Sequence, residues 1–206
     1  MKELGIPDEK IEVAVFGEVC KFARLNFIKM LSIQFQEKNI SGAVAEFGVW
    51  RGETARYINE YFRDENFYLL DAFDGFNEKD INKETGIAKK SSIKDFSDTS
   101  LEFAKKQMPY LDKCYFIKGY FPESATQIPQ DIQFKFVNLD VDLYQPILSG
   151  LQYFYPKMVK DGVILVHDYL HPFYTGAKKA VDEFAVEMNL RTLPIGDAFS
   201  VMIVKE

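Results

Sequence analysis

Hydrophobic and polar residues form two kinds of pattern along this chain, and the first is the spacing of an amphipathic helix. After Asp8, which can cap a helix, apolar residues recur every three or four positions as far as Lys38, and they include Met30 and Phe35. The spacing predicts one long helix or two shorter ones. Residues 39–42 then indicate a stop and a turn before the first strand.

Short apolar runs without polar alternation follow, a pattern typical of strands that are buried on both faces of a parallel sheet. We predict five such strands, at residues 43–47, 66–73, 114–118, 134–140 and 162–166. Helical spacing lies between most of these runs and after the last one, at residues 54–63, 100–108, 146–158 and 176–188. Strands and helices that alternate in this way form βαβ units.

Two segments depart from this alternation. Residues 74–99 are polar and have no clear period, so we predict a long loop, which is either a lid or binding loop or a plain surface excursion. At the end of the chain, R-T-L-P-I and F-S-V-M-I-V flank a Gly196-Asp197 turn. That arrangement predicts a β-hairpin.

The predicted fold is α/β: a doubly wound, Rossmann-like, mostly parallel sheet of seven strands that ends in an antiparallel hairpin. We expect a single domain, with residues 42–206 as its core. Residues 1–41 form a helical lid segment that either packs against the sheet or closes over the site. Dehydrogenase-type domains continue with a helix and a parallel strand, whereas a helix followed by a terminal hairpin resembles the class I S-adenosylmethionine-dependent methyltransferases.

Composition narrows the environment and the partners. The 206 residues are 47% hydrophobic and 27% charged, as in soluble globular proteins, and the net charge of −6 disfavours nucleic acid as the main partner. The two cysteines, Cys20 and Cys114, form no motif for a disulfide framework or a zinc site. No membrane-spanning run and no signal peptide are found. We therefore expect a cytoplasmic protein with no membrane partner, and a homodimer is compatible with the sequence.

The stretch A-V-A-E-F-G-V-W-R-G-E-T, residues 43–54, joins the first strand to the next helix. Its E-x-G-x-x-x-G spacing lets bare backbone N–H groups and a helix N-terminus approach a polar or charged ligand. We interpret it as a cofactor loop in which Trp50 stacks on the cofactor or lines the site. The candidate cofactor contacts in this stretch are Glu46, Gly48, Trp50, Gly52 and Thr54.

Acidic residues end several of the predicted strands. Ligands of open α/β sheets bind at the carboxyl ends of the strands, so Glu46, Asp71, Asp140 and Asp168 should converge on one crevice. Asp71, about 20 residues beyond the glycine turn, is placed to hold ribose hydroxyls, with Phe73 beside it; the alternative is a solvated strand-end carboxylate.

Asp140 and Asp168 end the fourth and fifth predicted strands, which are expected to be neighbours. Two ionised carboxylates at that edge would suit a hard cation such as Mg²⁺, because without a nearby positive charge they would repel each other. The alternative is that one of the two faces solvent or caps a helix.

Four motifs carry a resemblance that runs from about Ser41 to the C-terminus: E-F-G-V-W-R-G-E-T, F-I-K-G-Y-F-P-E-S, L-D-V-D-L-Y, and V-H-D-Y followed by G-A-K-K-A-V-D-E-F. Together they resemble the macrocin O-methyltransferase (TylF-type) family, whose members methylate sugar hydroxyls of macrolides and related glycosides. The resemblance implies S-adenosylmethionine as cofactor and a sugar or glycoside hydroxyl as acceptor. It also implies Glu46 and residues 48–52 around the methionine part of the cofactor, and Asp71 on its ribose.

In that family an acid of the L-D-x-D-L-Y motif and two consecutive acids before a tyrosine hold Mg²⁺. Asp140 and Asp168 match this pattern, but His167 stands where the first of the paired acids is expected. Imidazole is a softer ligand than carboxylate, so Mn²⁺ or no metal is an alternative to Mg²⁺. The resemblance thus implies a metal site of Asp140, His167 and Asp168.

An alcohol is a poor nucleophile until it loses its proton, so a general base is needed. The related catechol-type enzymes have a lysine at the position of Leu143, and the base must come from elsewhere. Asp140, which is also a candidate cofactor contact, is the first candidate, followed by His167, and then by His171. The leading hypothesis is an O-methyltransferase for a sugar hydroxyl, assisted by a divalent metal. The alternatives are a phenolic or other small hydroxyl acceptor, or a non-catalytic module that binds the cofactor.

Overall fold

The structure is a computed structural model that describes residues 9–206, with side-chain surroundings from Gly17 onward. Helix α1 runs from Glu9 to Glu37 as one continuous helix, and the predicted Asp8 cap lies outside the described residues. Not all of the periodic apolar residues are buried, since Met30 is 56% exposed. The buried side of the helix is a neighbouring stripe formed by Cys20, Arg24, Ile28, Leu31 and Phe35.

Seven strands form the sheet, and their bounds are β1 Ala43–Phe47, β2 Phe67–Asp71, β3 Cys114–Lys118, β4 Phe134–Leu139, β5 Met158–Val166, β6 Thr192–Pro194 and β7 Val201–Val204. Their order is β3-β2-β1-β4-β5-β7-β6. The first five strands pair in parallel, while β7 is antiparallel to both β5 and β6. The predicted mostly parallel sheet with an antiparallel hairpin is confirmed.

The described part of the chain contains five further α-helices: α2 Ala55–Tyr61, α3 Glu78–Ile81, α4 Leu101–Gln107, α5 Tyr144–Phe154 and α6 Thr175–Met188. The predicted helix at residues 146–158 begins earlier, because Pro146 lies in its first turn, where no intrahelical donor is needed. It also ends earlier, and Met158 begins β5. The segment 74–99 is not structureless, since it contains α3 and a 3₁₀ turn at Ala88–Lys90.

Both faces of the sheet are covered, which explains why its strands lack polar alternation. One cluster of buried side chains packs the sheet against α5 and α6, and its members include Ile147 and Val181. The other packs the opposite face against α1, α2 and α4, and its members include Phe35 and Ile58. All residues of β4, the central strand, are buried.

The position of the site follows from the strand order. The chain leaves β1 for β2 on one side, and β4 pairs on the other side of β1, so strand order reverses at this point. In open α/β sheets such a switch point leaves a crevice at the carboxyl ends of the strands, where ligands bind. Within residues 9–206 no helix is long and apolar enough to cross a membrane.

Candidate active site

A cavity of about 970 Å³ opens at the carboxyl ends of β1, β2, β4 and β5. The four acids predicted to converge, Glu46, Asp71, Asp140 and Asp168, all line it. The other predicted residues that line the cavity are Gly48, Trp50, Thr54, His167 and His171. Gly52 and Phe73 are not part of its wall, although both belong to the turns beside it. Helix α1 covers one side of the cavity and residues 74–80 cover another.

The glycine loop is tied to both neighbouring strands. The N–H of Gly48 donates to the carbonyl of Leu70 at 3.0 Å, and the carbonyl of Phe47 accepts from the N–H of Asp140 at 2.8 Å. Gly48 has φ +95°, and a Cβ atom there would lie 1.9 Å from the carbonyl oxygen of Asp140. Only glycine fits, because the ends of β1 and β4 approach each other too closely for a side chain.

Asp71 holds the loop from the end of β2. Its carboxylate accepts the backbone N–H of Trp50 at 2.7 Å and that of Phe73 at 2.6 Å. Burial raises the pKa of Asp71, and these donors oppose the shift. A carboxylate has more acceptor sites than these two bonds use, so Asp71 can still receive hydroxyl donors from the cavity.

Glu46 is buried at the base of the cavity, with 1% of its surface exposed. Asn138 on β4 donates to its Oε1 at 2.8 Å, whereas its Oε2 has no partner within the described part of the chain. Burial, followed by the nearby charge of Asp140, raises the pKa of Glu46 well above its usual value. A buried carboxylate oxygen without a donor marks a place for a ligand that brings a donor or a cation.

Sequence reasoning missed Asn138. It lies within the apolar run F-K-F-V-N-L and is fully buried, and its Oδ1 also lacks a partner among residues 9–206. The available signal was a polar amide in the interior of a strand buried on both faces. Its amide fixes one oxygen of Glu46 and leaves the other for a ligand.

His167 joins the two acids at the ends of β4 and β5. Its Nδ1 lies 3.0 Å from Oδ1 of Asp140 and 2.7 Å from Oδ2 of Asp168. Burial would lower the pKa of His167, but the two carboxylates outweigh it and raise the pKa to about 10. The ring is therefore an imidazolium near neutral pH, and its Nδ1–H is shared between both acids.

Arg24 is the second cation of this cluster, and the sequence analysis did not single it out. Its Nη1 donates to Oδ2 of Asp140 at 2.9 Å and its Nη2 to the hydroxyl of Thr54 at 3.3 Å. Burial would raise the pKa of Asp140, but His167 and then Arg24 hold it well below the usual range. The signal was present in the sequence: Arg24 interrupts an otherwise apolar stripe of a helix.

The loop after β5 and the terminal hairpin form an aromatic wall beside these charges. The ring of His171 lies 5.2 Å from that of Phe199 and 5.2 Å from that of Tyr174. Asp197, 2% exposed, fixes the hairpin by accepting the N–H of Phe199 and of Ser200. This wall is an apolar surface next to the polar cluster, a combination that suits a small organic ligand.

The segment 74–99 is fastened over the glycine loop. The indole N–H of Trp50 donates to Asp98 at 2.9 Å, and Arg51 also donates to the Asp98 carboxylate. Phe96 packs edge-on against the Trp50 ring at 5.6 Å and contacts Phe76 of the cavity wall. The ring of Trp50 therefore holds the loop in place, while its backbone contacts Asp71.

Asp98→Ala is expected to loosen this loop with little effect on global stability. The contacts that it removes are largely exposed to solvent, so the free energy of unfolding should fall by less than about 1 kcal/mol. Hydrogen exchange measured by mass spectrometry should accelerate in residues 74–99. The control is Glu102→Ala, which breaks another exposed ion pair, with Lys105. Unchanged exchange in Asp98→Ala would contradict the role given to this contact.

The family of the chain follows from a match to the model of the macrocin-O-methyltransferases (TylF), which covers residues 17–201. The chain belongs to the macrocin O-methyltransferase family. The matched range begins in α1 and ends at the first residue of β7, so it includes Arg24 and the strands β1 to β6. The resemblance noted in the sequence is thereby confirmed.

Two curated relatives and a solved structure extend this finding. The chain is 24% identical over 163 residues to demethyldecarbamoylnovobiocin O-methyltransferase of Streptomyces niveus, covering 74% of this chain and 61% of the relative. It is 25% identical over 175 residues to mycinamicin III 3''-O-methyltransferase of Micromonospora griseorubida, covering 78% and 67%. The structure of the O-methyltransferase NovP aligns with a TM-score of 0.74 at 24% identity, over 89% of this chain and 79% of NovP.

The macrocin O-methyltransferase resemblance implies Mg²⁺, and the donor atoms can be tested for it. Asp140, His167 and Asp168 offer ligand atoms within 4.8 Å of one another. Mg²⁺ prefers oxygen ligands, however, and here an imidazole N–H donates to both carboxylates while Arg24 takes the other oxygen of Asp140. These side chains do not fit Mg²⁺, because cationic groups already occupy oxygens that would bind it. The metal site predicted from the sequence stays a prediction that these contacts do not favour.

Proposed function

We propose that this chain is an S-adenosylmethionine-dependent O-methyltransferase whose acceptor is a hydroxyl of a sugar or glycoside. One observation carries the proposal: the unpartnered oxygen of Glu46 and the carboxylate of Asp140 line the same cavity at the strand-order switch point. The first suits a cationic cofactor group and the second a hydroxyl that must lose its proton. Membership of the macrocin O-methyltransferase family supports the same reading.

The cofactor end of the cavity is built from the glycine loop and its supports. Glu46 would receive the ammonium of the methionine part, and Asp71 the ribose hydroxyls, through acceptor sites that the protein leaves open. Gly48 allows the backbone to approach the cofactor closely. Bound there, S-adenosylmethionine supplies an electrophilic methyl group on a sulfonium.

The acceptor end of the cavity is built around Asp140. Its carboxylate accepts the hydroxyl proton as the oxygen attacks the methyl group, and two lone-pair positions remain free beside its bonds to Arg24 and His167. His167, the other predicted catalytic residue, donates to Asp140 and Asp168 and so holds both in place. Helix α1 and the loop 74–99 exclude water and restrict the acceptor to one approach.

The nature of the acceptor is the finer part of the proposal. In the aromatic wall, His171 and Phe199 line the cavity and Tyr174 packs against His171, so the first two offer ring faces on which the C–H face of a sugar can pack while its hydroxyl reaches Asp140. A phenolic acceptor would use the same wall by ring stacking. Turnover with a panel of deoxysugar glycosides, nucleotide-activated sugars and catechol separates the two, since the proposal expects methylation of the sugars.

Cofactor binding is the first test. Titration calorimetry should show S-adenosylmethionine binding by the wild type, and Glu46→Gln should weaken it at least tenfold, because a neutral amide replaces the partner of an ammonium. Glu187→Gln makes the same chemical change on the exposed side of α6 and should bind like the wild type. Absence of binding by the wild type would overturn the proposal.

A further inference from the structure

We infer that Arg24 is a positioning residue that neutralises the charge of Asp140 in place of a divalent ion, so that the site works without such an ion. This inference rests on the proposed function for its effect on turnover, but the electrostatic exchange between Arg24 and a divalent ion can be measured without any methyl acceptor.

Arg24 lies at a buried position of α1, at the base of the cavity. It occupies the buried stripe of α1 between Cys20 and Ile28, and 8% of its surface is exposed. A buried guanidinium is costly unless it is paired, by several kcal/mol per ion. Its hydrogen bonds within the described chain go to Asp140 and Thr54, which end one strand and begin one helix of the cavity wall. The helix therefore carries this cation into the site and nowhere else.

Both oxygens of the Asp140 carboxylate already face nitrogen atoms of other side chains. Its Oδ1 faces Nδ1 of His167 at 3.0 Å, and its Oδ2 faces Nη1 of Arg24 at 2.9 Å. A bridging divalent ion draws oxygens of two carboxylates towards one point, which requires oxygens that are free of cationic donors. Here Nδ1 of His167 lies between Asp140 and Asp168, and the guanidinium of Arg24 lies on the other oxygen of Asp140. An added ion would have to displace these groups from the oxygens, and it would meet the repulsion of the guanidinium.

Of the two described cationic side chains of α1 that line the cavity, Arg24 contacts Asp140 at its base and Lys21 does not. Lys21 lies one turn earlier and also lines the cavity, but it pairs with Glu53 at 2.7 Å at a site where 32% of its side chain is exposed. A flexible ammonium near the mouth can be neutralised by solvent, whereas the planar guanidinium of Arg24 reaches two partners at the base. Lys21 is thus a matched control: the same helix, the same cavity and the same charge.

The proposal gives α1 a second task besides covering the cavity. Asp140 receives one of its two cations only when α1 is docked on the sheet. The contact between Arg24 and Asp140 therefore links the covering of the cavity by α1 to the positioning of the proton acceptor. The sequence predicted a lid at residues 1–41, and Arg24 is the point at which that lid enters the chemistry.

The first experiment uses MnCl₂ as the probe, followed by electron paramagnetic resonance of free Mn²⁺. Arg24→Met keeps an apolar chain in the stripe but removes the charge, and it should bind Mn²⁺ at least tenfold more tightly than the wild type. Arg24→Lys should remain close to the wild type, and so should Lys21→Met. The double variant Arg24→Met, Asp140→Asn should lose the gain, because the freed carboxylate is gone. Equal Mn²⁺ affinity of wild type and Arg24→Met would overturn the inference.

The second experiment measures turnover with an acceptor found in the panel above. Wild-type kcat should be unchanged in EDTA, and Arg24→Met should lower kcat about 10–100-fold without changing the affinity for S-adenosylmethionine. Arg24→Lys should retain more of the wild-type kcat than Arg24→Met does. If the two variants have the same melting temperature, a purely structural role of Arg24 would not explain this difference. If Arg24→Met does not fold, Arg24→Gln carries both measurements, because it also removes the charge and should show the same gain in Mn²⁺ affinity and the same loss in kcat. Loss of wild-type activity in EDTA and its return with Mg²⁺ would overturn the inference while leaving the proposed function intact.

Discussion

Replacing Asp140 with Asn is expected to lower kcat by about 10²–10⁴-fold while S-adenosylmethionine still binds. Asp140 is at the carboxyl end of β4, beside Gly48 and within the cavity, and its carboxylate is the predicted acceptor of the hydroxyl proton. An amide of the same shape cannot accept that proton. Because the proposed contacts to the cofactor ammonium and ribose are Glu46 and Asp71, the dissociation constant of S-adenosylmethionine should change far less than kcat.

The variant also disturbs the charges around it, and this must be separated from the loss of the base. Asp140→Asn leaves Arg24 buried without its carboxylate, and breaking a buried pair typically costs about 3–5 kcal/mol of unfolding free energy. The double variant Arg24→Met, Asp140→Asn removes both charges and should recover much of that stability. Turnover should stay low in the double variant, since stability returns but the proton acceptor does not.

Two measurements complete this test: kcat with the panel acceptor, and the melting temperature of each variant. Asp112→Asn is the matched control, because it makes the same change at an exposed position away from the cavity, and it should behave like the wild type in both. Wild-type kcat in folded Asp140→Asn would remove Asp140 as the base and leave His167 and His171 as the remaining candidates from the sequence.

The convergence of the acids could be predicted from the sequence because it follows from topology. Buried apolar runs that alternate with helices define a parallel sheet, and a parallel sheet brings the residues after its strands to one edge. Glu46, Asp71, Asp140 and Asp168 needed no knowledge of packing to be placed together. Local spacing and one general rule were sufficient.

Arg24 and Asn138 could not be found in that way, since their partners depend on packing between distant segments. Arg24 and Asp140 are separated by 116 positions, and their contact depends on how α1 crosses the ends of β1 and β4. Asn138 faces Glu46 because of the register between β4 and β1, in which these two residues are direct neighbours. Hydrophobic periodicity identifies such residues as exceptions within an apolar pattern, but it does not say what they meet.

The loop 74–99 shows a third kind of limit. Its short helix α3 has a local signal that was available, because Asn77 caps it by accepting the N–H of Lys79 at 2.9 Å. Its attachment had no such signal, because Asp98 reaches back 48 positions to the indole of Trp50. The sequence left open whether Trp50 stacks on the cofactor or lines the site, and the structure uses its ring to hold the loop.

Gly48→Ala is expected to destabilise the fold by about 2–5 kcal/mol and to abolish binding of S-adenosylmethionine. The new Cβ would lie 1.9 Å from the carbonyl oxygen of Asp140 and 2.9 Å from a methyl group of Val141. The first of these atoms is backbone at the end of β4, so it cannot rotate away, and the two central strands must separate. Separation would displace Glu46, the glycine turn and Asp140 together, because the cavity is built on these strand ends.

Gly196→Ala separates this steric effect from the cost of an unfavourable backbone angle. Gly196 has φ +86°, similar to the +95° of Gly48, but a Cβ at position 196 would have no atom within 4 Å. It should therefore lose only about 1–2 kcal/mol and retain cofactor binding. Chemical denaturation gives the free energy of unfolding of both variants, and calorimetry gives their affinity for S-adenosylmethionine. If the two variants were equally stable and both bound the cofactor, the close approach of β1 and β4 would not be what builds the cofactor site.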